Sequence, residues 1–172
     1  MGFSGKRFII IAGSMIGILV LQSTLFYDVR LLGARPDLVL AAVGSIALLR
    51  GWTEGLLWGV FGGLVQDFIT GSLPGSHALA KSITGFTLGL LEGKVFRENA
   101  LLPAVALFVS ALAEGIIFFL AAGVFSQIKW SFVFAFRTAI LPAAAATTIF
   151  APLVYRLCER LYDPPRFGSF MR

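Results

Sequence analysis

The chain has 172 residues, 58% hydrophobic and only 13% charged, with one cysteine, one histidine and a net charge of +5; its mean hydropathy is +0.88. A soluble domain carries about a quarter charged residues, so a soluble globule, a disordered chain and a disulfide scaffold are excluded, and a lone Cys158 and a lone His77 leave no internal disulfide and no multi-histidine metal site. The basic residues stand at the ends of apolar runs and form no patch interleaved with aromatics, which is the mark of membrane topology and not of nucleic-acid binding.

At about 20 residues per span the length allows six membrane helices in a single all-α domain. The first span covers 8–27; Lys6-Arg7 ahead of it resembles a signal peptide, but Gln22-Ser23-Thr24 offers no small-residue cleavage site, so the helix is retained. The second covers 36–49, opening on Pro36-Asp37 and closing at Arg50-Gly51, a proline start and a glycine stop. The third covers 54–70 and the fourth 77–91, joined by the turn-rich link Thr70–Ser76. The fifth covers 100–125, with Asn99 as its cap and Pro103 in its first turn. The sixth covers 132–155, carries Pro142 as an expected kink, and leads into a basic tail over 156–172. One helix over 36–70 would run about 52 Å against a hydrocarbon core of about 30 Å. The segment Arg50–Glu54 therefore reverses the chain, with a pair of re-entrant half-helices as the alternative.

Six spans put both termini on one side. One set of loops holds Lys6, Arg7, Arg50, Lys94, Arg97, Arg156, Arg160, Arg166 and Arg172; the other holds only Arg30, Arg35 and Lys129. This split of nine to three places both termini in the cytoplasm. Tyr27 and Trp130 then mark the outer boundary, Trp52 and Tyr155 the inner one.

Gly55, Gly59, Gly63 and Asp67 recur every four residues, as do Lys81, Gly85, Gly89 and Gly93. Spacing of i, i+4 draws a stripe along one helix face, and glycine stripes let membrane helices approach closely where lipid offers apolar side chains no reason to leave it. Two antiparallel stripes would bring Asp67 and Lys81 together at one depth. Such a pair is either a polar site in the outer leaflet or an ion pair pinning a glycine zipper. Glu114, mid-span, is a functional candidate because an intramembrane carboxylate must be matched; coupling to protons or ions, contact with another subunit and internal satisfaction all remain open for it. Side-chain tilt separates it from Arg137, which snorkels outward. His77 opens a helix at the outer surface. No nucleophile–base set, phosphate loop or catalytic carboxylate pair is present, and no cofactor is called for, so the chain reads as no enzyme.

The ordered set Arg35-Pro36-Asp37-Leu38, Leu49-Arg50-Gly51, Glu54-Gly55, Gly59-x-x-x-Gly63-x-x-x-Asp67, Gly71 and Pro74-Gly75-x-x-Ala78-Leu79 resembles the bacterial rod-shape-determining membrane protein family MreD. The specific match covers about residues 35–94. The resemblance implies a multi-pass scaffold in the inner membrane, part of the cell-elongation (rod) complex that directs peptidoglycan synthesis. Its implied partners are the bitopic protein MreC and, through it, MreB, RodA and RodA's penicillin-binding transpeptidase. The layout is also similar to the six-helix substrate-binding subunits of energy-coupling-factor vitamin transporters. That alternative predicts a cavity open to the outside and lined by Asp37, Asp67, Lys81 and Arg137, whereas the glycine stripes favour a collapsed interface.

With this topology, single cysteines placed at Ser72 and Ser126 react with an impermeant thiol reagent from outside; protection of Ser72 together with labelling of the 50–54 turn would reverse the orientation.

Overall fold

The structure, a computed structural model, describes residues 5–24, 33–71, 74–93, 101–126 and 131–162. Tyr27, Arg30, Ser72, Lys94, Arg97, Asn99, Lys129, Trp130 and the tail from 163 onward lie outside them. The described residues are helical: α1 (Gly5–Thr24), α2 (Leu38–Arg50), α3 (Trp52–Thr70), α4 (Ser76–Gly89), α5 (Leu101–Ser126), α6 (Phe132–Ala135), a π-helical turn (Phe136–Ile140) and α7 (Leu141–Tyr162). Two stretches are long and apolar enough to cross a membrane unaided, Pro103–Ala121 and Phe132–Leu161.

The distribution of polarity is inverted relative to a water-soluble bundle. Phe68 is 92% exposed, Val124 77% and Leu153 67%, while Lys81, Asp67, Glu114 and Gln66 are buried. Apolar side chains outside and hydrogen-bonded polar groups inside is the arrangement a bilayer demands.

At the centre lies α2. Every residue from Leu38 to Leu49 is buried, and the helix packs against α1, α3, α4, α5 and α7. Its apolar sequence all round fits a helix with no free face. It ends at Gly51, whose φ of +92° is open to glycine without strain and whose N–H bonds back to Ala47 O at 2.8 Å. From there α3 starts at once: Gly55 N–H bonds to Gly51 O at 3.0 Å, and Arg50 Nε meets Glu54 Oε2 at 2.6 Å across the turn. The reversal expected at Arg50–Glu54 is thus a one-glycine hinge.

The glycine seam joins α3 to α4. A Cβ at Gly55 would strike the Gly85 carbonyl, one at Gly59 would lie 2.7 Å from the Lys81 carbonyl carbon, and one at Gly63 would strike the Ala78 backbone. Gly85 meets Gly55 in return, and Gly89 meets the Trp52 backbone. Gly93 is different. It lies beyond the end of α4 at φ +72° with nothing within 4 Å, outside the seam. A further contact glycine is Gly62, whose Cβ would lie 3.0 Å from Val39 of α2.

Pro142 does not break the last helix into two. The turn just before it widens, with Leu141 N–H bonding to Phe136 O five residues back. A π-type turn makes room for a ring that would otherwise clash with the carbonyl four residues earlier.

Because the seam is backbone against backbone, Gly59→Ala lowers the thermal unfolding midpoint in detergent, by overpacking of about 1–3 kcal/mol. Gly13→Ala in α1, where nothing lies within 4 Å, leaves it unchanged or raises it by up to about 1 kcal/mol through helix propensity. Equal behaviour of the two variants would mean that the seam is not close-packed.

Candidate functional site

The upper end of the bundle is the end that holds Thr24, the start of α2, Gly71, Gly75, Ser76 and the end of α5. Here Asp37 caps α2. Its Oδ1 accepts from Leu40 N–H at 2.9 Å, the ordinary N-cap bond. The other first-turn donors are met by neighbours: Gln22 Oε1 of α1 accepts from Leu38 N–H at 2.8 Å, and Thr147 Oγ1 of α7 accepts from Asp37 N–H at 2.9 Å. Three helices are thereby tied at one level.

Asp37 Oδ2 faces the interior. It accepts from Lys81 Nζ at 2.6 Å and from Gln66 Nε2 at 3.2 Å. Lys81 Nζ also donates to Glu114 Oε1 of α5. One fully buried ammonium therefore bridges two carboxylates on two other helices. An unpaired charge here would be strongly destabilising, so both carboxylates and the lysine depend on one another.

The expected Asp67–Lys81 pair is corrected. The seam sets Gly55 against Gly85, Gly59 against Lys81 and Gly63 against Ala78. This register carries Asp67 above Lys81, opposite the start of α4, about two turns away. There Asp67 accepts from Gly75 N–H at 2.8 Å, His77 N–H at 3.2 Å and Ala78 N–H at 3.4 Å, and it meets His77 Nδ1 at 2.7 Å. A carboxylate from α3 thus caps α4 where the helix dipole is positive. Arg137 is exposed on the π-helical turn and joins neither group.

Beside the bridge lies a cavity of about 970 Å³, bordered by α1, the start of α2, α3, α5 and the last helix. Asp37, Glu114 and Gln66 reach it, as do Arg35 at its rim and the aromatic rings of His77, Phe118 and Phe119. His77 lies against Phe118 with ring centres 4.5 Å apart. Asp67, Lys81 and Arg137, expected around such a cavity, do not line it, and the glycine seam that favours a collapsed interface closes only the α3–α4 face.

Sequence reasoning missed Gln22, Gln66 and Thr147. Each is an uncharged polar residue in the upper part of an apolar helix, and that recurrence is the available signal. Pairing was missed for a different reason: Asp37, Lys81 and Glu114 lie 44 and 33 residues apart, on helices whose rotation no stripe records.

The family described as rod shape-determining protein MreD matches residues 1–161. The chain belongs to the MreD family. MreD proteins are membrane-associated, non-enzymatic determinants of cell shape. Among curated proteins, the chain is similar to a protein named "Probable tryptophan transport protein" from Clostridium perfringens (strain 13 / Type A), 26% identical over 161 residues, covering 84% of this chain and 86% of that one. No solved structure matches.

Removing the bridge and removing the cap have separable effects. Lys81→Met leaves two carboxylates facing each other and destabilises by about 3–5 kcal/mol. In double-mutant cycles of alanine variants, Lys81 and Glu114 couple strongly, whereas Lys81 and Asp67 add to within about 0.5 kcal/mol. A strong Lys81–Asp67 coupling would contradict this register.

Proposed function

We propose that this MreD-family chain is a non-catalytic scaffold of the bacterial cell-elongation complex. In this reading it crosses the inner membrane six times with both termini in the cytoplasm and the upper end facing outward. It maintains cell shape by organising lateral peptidoglycan synthesis through an MreC-like bitopic partner, and through that partner MreB, RodA and its penicillin-binding transpeptidase. The family match along residues 1–161 carries the reading. The exposed apolar faces of α3, α5 and α7 support it, since a scaffold in lipid needs outer surfaces that a partner helix can cover.

A second reading is a substrate-binding membrane subunit of a small-molecule transporter. The cavity of about 970 Å³ favours it, together with the likeness to the probable tryptophan transport protein. Cavities of several hundred cubic ångströms with aromatic walls and a few convergent polar groups are the usual form of a small-molecule site.

Deletion of the chain should round up rod-shaped cells, and Gly59→Leu or Glu114→Leu, at equal membrane abundance, should weaken copurification of the MreC-like partner or the transpeptidase. Unchanged cell width on deletion, with those partners still assembled, overturns the scaffold reading. Loss of labelled tryptophan uptake in the same strain would put the transport reading in its place.

A further inference from the structure

We propose that the cavity receives a primary ammonium group carried on an apolar body, seated on Glu114 and Gln66. The inference goes beyond the scaffold reading and does not depend on it; where the second reading holds, it says which group of the ligand this cavity takes and which residues take it.

Charge is the first observation. Asp37 and Glu114 share the single ammonium of Lys81, so two carboxylates stand around one cation at the inner end of the cavity, while Arg35 stands at its rim. Asp67, also buried, is occupied by the start of α4. Glu114 engages Lys81 through Oε1 and itself borders the cavity.

Gln66 supplies the second and independent observation. Its residue is 5% exposed, it borders the cavity, and its buried Oε1 has no hydrogen-bond partner. The amide cannot simply be turned over: Nε2 must face Asp37 Oδ2, because an oxygen placed there would meet a carboxylate. A buried acceptor without a donor is destabilising by about 1–3 kcal/mol. A ligand that brings N–H groups removes that deficit.

The walls define the rest of the ligand. They are mostly apolar, built from Phe118, Phe119, Ile140 and the small residues of α7. Aromatic faces next to the carboxylates of Asp37 and Glu114 suit a cation with an apolar body, through both area burial and cation–π attraction. An inorganic divalent ion fits poorly, since among the described residues no group of three or more His, Cys, Asp or Glu could hold a metal. The volume also far exceeds what one ion fills. Two sources share the required chemistry: a free aromatic amine or amino acid, and the headgroup of an ethanolamine lipid.

The test uses the full chain in nanodiscs. Tryptamine, tryptophan and indole-3-propionate, which lacks the ammonium, are titrated calorimetrically in phosphatidylglycerol discs. Retained lipid is read by native mass spectrometry from discs of mixed phosphatidylglycerol and phosphatidylethanolamine. Binding of tryptamine or tryptophan but not of indole-3-propionate supports the proposal with a free amine as the source. Selective retention of phosphatidylethanolamine without amine binding supports it with a lipid as the source. In either case Glu114→Gln weakens binding about tenfold or more, the loss of a charge-assisted hydrogen bond. Gln66→Leu, which leaves the Lys81 bridge in place, does so by a smaller factor, so the outcome does not hang on one variant's folding. Three results overturn the proposal: indole-3-propionate bound as tightly as tryptamine; neither amines nor phosphatidylethanolamine bound; or a photoreactive residue at Ala139 crosslinking to a partner protein's helix while every small probe is refused. Because these readouts are taken on isolated protein, they fail or succeed independently of cell shape.

Discussion

Lys81 is the constraint on which the bundle depends. It is fully buried, and a buried ammonium must find anionic oxygen or be strongly destabilising. Its two carboxylates come from the cap of α2 and the middle of α5. The bridge therefore fixes the rotation and height of α4 against both helices at once. Asp37 extends the constraint, because the oxygen that does not hold Lys81 caps α2, and Gln22 and Thr147 complete that cap from α1 and α7. One cation thus coordinates the relative placement of five helices.

The glycine seam makes this placement reachable. In lipid there is no hydrophobic drive to bring α3 and α4 together, so close backbone approach must supply the association. Gly55, Gly59, Gly63, Gly85 and Gly89 provide it. With α4 pressed onto α3 at Gly59, the side chain of Lys81 has one direction left, toward α2 and α5. The seam and the bridge are two consequences of one register.

The same register leaves space unfilled. Small residues close the α3–α4 face, but between α5 and the last helix Gly115 meets Ile140 while Phe118, against His77, and Phe119, against Phe132, border the cavity. This chain exposes apolar faces on its outer helices, and it also has a cavity bordered by Asp37, Glu114 and Arg35. Glu114 links the bridge to the cavity, since it holds Lys81 and also borders the open volume.

Much of this architecture is legible in the amino-acid sequence. Hydropathy bounds the helices to within about three residues, because the length of an apolar run and its glycine and proline stops are local properties; the exception is the last, which runs on to Tyr162 into the basic stretch expected to be a tail from 156. The hinge at Gly51 and the antiparallel seam follow from Arg50–Glu54 and from i, i+4 glycine spacing. Asp37 at the start of a helix is visible for the same local reason. What tertiary structure alone decides is which charge meets which. The glycine stripes specify that α3 faces α4, but a shift of two turns along the seam moves Asp67 from Lys81 to the start of α4, and spacing within each stripe is identical in either register. The π-helical turn before Pro142 is likewise hidden, since the sequence shows only that a ring must be accommodated and not how. The cavity belongs to the same class: it is the volume left when separate helices are held apart by contacts elsewhere, and no single segment encodes it.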